Sequence, residues 1–349
     1  MDERKSIYTL AQSGTADFSD TTHFPEKIVY GEGSEMGDKA VLKGRAKRKT
    51  ISQVLNLRLI EAVEKKGETE RKQGYWNTYH CQNTVVSHNG RIYGKYCKNR
   101  HCTLCCSIRK AEIINRYLPV IQTWEDPYFI TLTVRAVPAR KLETWLKGFK
   151  KAFRRIREKY KKRNQRGKGL KLVGIKSLEC NFNPVKKTYN PHLHIVVPNE
   201  AIADILISEW LAIWTERETL KVGQDKQRVR DVERNLVEVI KYGAKIITDP
   251  DAENKGKGSL SPKVYAAALD TIFRAMKPYR IFERFGFNLP KSPKSRKIKS
   301  VSEGQYQDWI FAIEVFDWVN TKTGQGLTEY TPTAQLFWLL HENIDTDLQ

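Results

Sequence analysis

Apolar and polar side chains alternate with a period of two in the middle of the chain, and helical periods fill the gaps between these stretches. Residues 128–137 (YFITLTVRAV) predict a strand by their β-branched and aromatic content. Ile130, Leu132 and Val134 share its apolar face, and Phe129, Thr131, Thr133 and Arg135 share a face that is polar at its centre. Residues 169–181 predict a second strand and residues 190–197 (NPHLHIVV) a third. In the third, His192 and His194 project from one side and Leu193, Ile195 and Val197 from the other. Helices are expected over residues 107–124, 141–162, 201–219 and 234–248, a weaker one over 50–65, and a mainly helical segment over 262–285. Residues 227–233 read as a short strand, and the apolar segments 309–319 and 336–340 are expected to pack as helices.

The loop after Asn183-Pro184 carries a geometric consequence. If this hairpin closes symmetrically about Val185 and Lys186, Glu179 faces His192 and Ser177 faces His194. Directly opposed residues share a face, so a carboxylate stands beside two imidazoles with Cβ atoms roughly 5 Å apart. A slip of one residue would break the arrangement. Two partly exposed histidines on an ordinary strand are the simpler account of the octapeptide alone. Joined by Glu179, they suit a divalent ion such as Mn2+ or Mg2+, with coordination positions left for phosphate oxygens. In residues 234–248, Leu236, Val239, Ile240, Gly243 and Ile247 gather on one side, and Glu238, Lys241, Tyr242 and Lys245 on the other. Solvent exposure accounts for that polar side, and periodicity by itself assigns Tyr242 no chemistry.

Five of the six cysteines fall between Cys81 and Cys106. Cys81, a hairpin-sized interval, and then Cys97, Cys102 and Cys105 spaced C-x4-C-x2-C suit a structural Zn2+ in a reducing compartment. His80, His101 and Cys106 are spare candidates for the fourth position. The balance of 61 Lys+Arg against 40 Asp+Glu, net +21, exceeds what solubility asks of a metabolic enzyme and points to nucleic acid. With no long apolar run, and with an N-terminus (MDERKSIYTL) that lacks a signal peptide's apolar core, a cytoplasmic protein without a membrane role is expected.

The ordered set YFITLTV, LEC with PHLHIVV, and EVIKYGAK, preceded by CKNRHCTLC and followed by RIFERFGF, resembles the rolling-circle plasmid replication initiators of the one-tyrosine HUH endonuclease superfamily. The likeness covers roughly residues 75–290. It implies an α+β HUH endonuclease fold, with a central antiparallel sheet flanked by helices and a tyrosine helix lying across the histidine face. The expected order is a polar basic leader (1–74), a zinc-binding module (75–118), the nuclease domain (119–290), a basic linker (291–300) and a helical C-terminal extension (301–349).

By the same resemblance, His192, His194 and Glu179 hold the catalytic ion, Tyr242 attacks the scissile phosphate, Glu238 activates water at termination, and Lys245 is the lysine of the tyrosine motif. Lys241, Arg100, Arg109, Thr131 and Thr133 are candidates for nucleic-acid contact. The implied activity is metal-dependent nicking and joining of single-stranded DNA at a plasmid double-strand origin through a 5′-phosphotyrosine, leaving a 3′-OH primer. The implied partners are DNA and a host helicase and polymerase. A transposase or mobilisation relaxase would share this chemistry, and a zinc-stabilised DNA-binding regulator would lack it. Thr103 stands where the family commonly has proline.

Overall fold

Strand pairing follows the two-residue alternation closely, and the helices cover what the strands leave apolar. The computed structural model describes residues 26–29, 33–67, 69–240, 262–290, 299–302 and 306–334. Its first part holds β1 (Glu26–Val29), β2 (Ser34–Glu35), α1 (Lys39–Glu64), α2 (Thr69–Tyr79), the hairpin β3 (Thr84–His88) and β4 (Arg91–Gly94), and α3 (Thr103–Ile121). Next come β5 (Tyr128–Thr133), α4 (Ala139–Gln165), β6 (Gly174–Asn183), β7 (Thr188–Val197), α5 (Glu200–Ile213), β8 (Asp225–Arg228) and α6 (Val232–Val239). The last elements are α7 (Pro262–Met276), β9 (Phe282–Phe285), β10 (Lys299–Ser302), β11 (Gln307–Ala312) and β12 (Asp317–Asn320).

The central sheet runs β8-β5-β7-β6-β9, antiparallel throughout. On its back face Ile130, Leu132, Leu193, Ile195, Val197, Leu178 and Phe285 pack under α4, α5 and α7 through Leu146, Phe149, Phe153, Leu206, Trp210 and Ile272. Burying each of these large side chains contributes about 1.5–3 kcal/mol. On the front face Phe129, Ile175 and Val196 form an apolar strip beneath Tyr117 and Ile121 of α3 and Leu236 and Val239 of α6. Pro191 lies in β7, and its missing N–H falls just past Thr133, the last β5 residue in the pairing, so no ladder bond is lost on that side.

Several elements differ from the sequence expectation. Residues 309–319 form the antiparallel hairpin of β11 and β12 instead of a helix, and β11 pairs with β3, so the sheet order is β12-β11-β3-β4-β2. Trp309 and Phe311 point inward while Ile310 stays exposed, a period of two that a helix could not bury. The C-terminal extension is therefore not helical over these residues, and residues 336–340 lie outside the described ones. The helical segment expected over 262–285 ends at Met276, and Phe282–Phe285 pairs with β6 as β9. The strand expected over 227–233 is Asp225–Arg228, because Asp231 Oδ1 accepts from Arg234 N at 3.0 Å and caps α6 two residues earlier than expected. Helix α1 also starts earlier, at Lys39, capped by Asp38, whose carboxylate accepts from Val41 N.

Trp318 is fully buried between the hairpins and donates through Nε1 to the Gln82 carbonyl at 2.8 Å. Trp318→Ala is expected to cost about 3–5 kcal/mol of stability, measured by urea unfolding. A loss below about 1 kcal/mol would show that β11 and β12 do not pack here.

Candidate active site and metal centres

The pairing of β6 with β7 sets Glu179 opposite His192 and Ser177 opposite His194, the register that a symmetric hairpin requires. β5 flanks them on the other side, with Thr131 opposite His194 and Thr133 opposite His192. One Glu179 oxygen, Oε2, lies 3.5 Å from His192 Nε2 and 3.6 Å from His194 Nε2. Ligand atoms about 2.1 Å from a common ion, separated by angles near 90–110°, lie about 3.0–3.5 Å apart, so the spacing fits a divalent cation.

Hydrogen bonding fixes the imidazoles for that task. His192 Nδ1 lies 3.1 Å from the Asn190 carbonyl. A carbonyl only accepts, so the neutral ring carries its proton on Nδ1 and turns the Nε2 lone pair to Glu179. Thr131 Oγ1 stands 3.1 Å from His194 Nδ1 and serves the second ring in the same way. Phe129 packs against the His194 ring at 5.2 Å. Three lone pairs thus converge in a nearly buried site. Burial alone would raise the Glu179 carboxyl, but the neighbouring imidazoles of His192 and His194 outweigh it and hold the group below its ordinary value. Glu179 Oε1 and Ser177 Oγ on the same face are buried without a hydrogen-bond partner, as expected where an ion and its other ligands sit.

The second centre is built by Cys81, Cys97, Cys102 and Cys105, whose Sγ atoms lie within 4.8 Å of one another. Cys105 Sγ is 3.7 Å from Cys81 Sγ and from Cys97 Sγ. Four sulfurs placed tetrahedrally about 2.3 Å from a zinc ion lie about 3.8 Å apart, so the cluster fits Zn2+. Backbone N–H groups of Cys97, Lys98 and Cys105 donate to Cys81, Cys105 and Cys102 sulfurs, and Lys98 adopts φ 61° to make the turn. Hydrogen bonding with Cys102 holds the Cys97 thiol well below its usual value and pushes that of Cys81 up. Thiolates 3.7 Å apart would repel one another strongly, and a cation at the centre of the four would relieve that repulsion. The spare candidates lie elsewhere: Cys106 donates to the Arg100 carbonyl, His80 pairs with Asn83, and His101 with Thr78.

The remaining expected residues have other settings. Arg100 Nη1 donates to the carbonyls of Met276, Lys277 and Tyr279, closing the C-terminal end of α7. Arg109 donates to the Lys98 carbonyl behind the cysteine turn. Thr133 Oγ1 donates to Asn190 Oδ1 at 3.0 Å, beside the His192 support. Lys241, Tyr242 and Lys245 lie outside the described residues, as does the Glu238 side chain, though its backbone belongs to α6 on the histidine face. Ser177 was placed opposite His194 by the hairpin register but given no role, whereas Asn190 was missed, since a main-chain acceptor leaves no signal in the sequence.

An α+β domain with a Glu-His-His cluster on an antiparallel sheet and a four-cysteine cluster beside it offers two places that could hold a metal ion. Residues 91–281, more than half of the chain, match the family Rep_1, described as "Replication protein". The chain belongs to that family, which bears out the resemblance to rolling-circle plasmid replication initiators. It is similar to "Protein rep" of Streptococcus pneumoniae serotype 2 (strain D39 / NCTC 7466), 28% identical over 228 residues, 56% of this chain and 63% of the relative. It is also similar to "Protein rep" of Staphylococcus aureus, 29% identical over 167 residues, 43% of this chain and 69% of the relative. The match therefore spans a little under two thirds of the S. pneumoniae protein's length. No solved structure matches the chain. Among the described residues, no helix is long and apolar enough to cross a membrane.

Thr131→Val keeps the shape of the side chain and removes the partner of His194 Nδ1. Calorimetric titration of Mn2+ is expected to show about 10–100-fold weaker binding, and unchanged affinity would deny Thr131 its orienting role. Cys97→Ser is expected to lower the zinc released by denaturation, read with a chromogenic chelator, and to reduce the melting temperature; full zinc content would exclude Cys97 as a ligand.

Proposed function

We propose that the protein initiates plasmid replication by nicking and rejoining single-stranded DNA at the origin within an HUH-type nuclease domain. The observation that carries this reading is the convergence of Glu179, His192 and His194 on the sheet face that α6 crosses. Mn2+ or Mg2+ held by these residues would neutralise charge on the non-bridging oxygens of the scissile phosphate. Tyr242 is one helical turn beyond Glu238 in sequence and is the nucleophile. Its Oη forms a bond to phosphorus while the bond from phosphorus to the 3′ oxygen breaks. The phenolic proton passes to solvent, and the departing oxygen becomes the 3′-OH on which a polymerase extends. A phenol with a pKa near 10 is mostly protonated at neutral pH, so Lys241 and Lys245 favour its ionised form.

The 5′-phosphotyrosine keeps the energy of the broken phosphodiester, and the join is made by attack of an incoming 3′-OH or of water. Glu238 accepts the proton of that second nucleophile as a general base. The four-cysteine centre holds Zn2+ in a structural role, tying the β3–β4 hairpin to α3 next to the nuclease sheet. Host helicase and polymerase complete the replication machinery.

Incubation with Mn2+ and single-stranded origin oligonucleotides is expected to yield a covalent protein–DNA adduct on denaturing gels. Tyr242→Phe should abolish that adduct and leave DNA binding in place; an adduct from the Phe variant, or none from the unaltered protein with any divalent ion, would sink the assignment. Glu238→Ala should leave the first nick intact and slow hydrolytic release by about a hundredfold. Equal slowing of both steps would remove Glu238 from its role as termination base.

A further inference from the structure

Helix α4 carries twelve lysines and arginines against two glutamates, a net +10 within a chain whose total is +21. It lies on the back of the central sheet, with Leu142, Leu146, Phe149, Phe153, Ile156 and Tyr160 turned into the core. The metal cluster occupies the opposite face, so this charge cannot serve the phosphate being cut.

At 100° per residue, Lys147, Lys151, Arg155 and Lys162 fall within about 80° of arc directly opposite the buried stripe, along about 22 Å of helix. All four are exposed, and none has an acidic partner among the described residues. Neighbouring cations are already engaged: Lys159 with Glu209, Arg154 with Glu158, and Arg157 over the Phe285 ring. A groove of about 600 Å³ beside the stripe adds Lys161 and Lys171 on its wall.

The chemistry of the stripe selects its occupant. A single-strand platform needs exposed aromatic rings for stacking, and the aromatic side chains of α4 pack inward, Trp145 against Trp214 and Phe149 against Trp210. A membrane surface would require apolar side chains to insert, and α4 exposes no large one. What remains is a row of cations spaced along a rod, which suits the phosphate backbone of a duplex without reading its sequence. We propose that α4 is a second DNA-binding track that holds duplex DNA on the back of the sheet while the front face handles the single strand. This rests on the reading of the protein as one that works on DNA.

The test uses the full-length, zinc-loaded protein with Lys147, Lys151, Arg155 and Lys162 all replaced by alanine, the residue that best keeps the helix. Duplex binding is followed by fluorescence anisotropy across a salt series, with circular dichroism reporting the melting temperature. Each lost phosphate contact lowers the slope of log K against log salt by about 0.9, so the slope should fall by about 3 to 4. Cleavage of a short single-stranded oligonucleotide should be unchanged. A slope altered by less than one contact would overturn the proposal and leave the stripe to an acidic protein. Equal weakening for duplex and short single strand would overturn it as well, by making the stripe general attraction. If the variant melts early, the pair Lys147→Gln and Lys151→Gln, with an expected slope change of about 1.8, repeats the measurement. Should the unaltered protein fail to cut any oligonucleotide, the nuclease reading falls while the duplex slopes still decide this one.

Discussion

Pairing between β6 and β7 fixes the distance from Glu179 to both histidines, because opposed residues in an antiparallel ladder have no freedom to separate. The site inherits its precision from backbone hydrogen bonds and needs no long-range packing to define it. A flexible loop would have to order three side chains around an ion at the cost of their rotamer entropy. Here that cost falls on folding the sheet, whose apolar back face offsets it. β5 then adds what the hairpin lacks: Thr131 aligns one ring, while the Asn190 carbonyl in β7 itself aligns the other.

The cysteine centre and the central sheet are joined through buried polar contacts. Asp270 of α7, almost fully buried, accepts from the Tyr75 hydroxyl and pairs with Arg71 and Lys66, so α2, α7 and the turn after α1 meet at one carboxylate. Lys49 of α1 is completely buried and donates to the Tyr79 carbonyl and Asn83 Oδ1, beside the cysteines. Desolvation lowers its ordinary value to about 7, with the neighbouring sulfurs pulling the other way. Removing a single partner from such a network leaves a charge stranded in the interior, which is far more costly than the net worth of the pair. These contacts couple the four-cysteine module to the helix that covers the back of the central sheet.

What the sequence revealed follows from the range over which each element finds its partner. The histidine hairpin was legible because its partner strand is a few residues away and a symmetric turn leaves one register. The β11–β12 hairpin was not, because Trp309 reaches Ser87 across 222 residues of chain, and an apolar run of that length suits either period. Helix α1 was only half visible: Arg45, Lys49 and Gln53 are buried, and their acceptors are the Gln82 amide, the Tyr79 carbonyl and the Asn83 amide elsewhere in the fold. The cysteine spacing indicated a metal, whereas the exclusion of Cys106 and both neighbouring histidines depended on hydrogen bonds that spacing does not encode.

Charge and chemistry are separated in this molecule. The cluster of Glu179, His192 and His194 is flanked by Phe129 and by a strip of apolar contacts to α3 and α6. Had the +10 of α4 faced the same side, it would have competed with the metal for Glu179 and drawn any polyanion across the site in every orientation. On the opposite face it stands the thickness of the packed sheet away from Glu179, and distance is what weakens its field there.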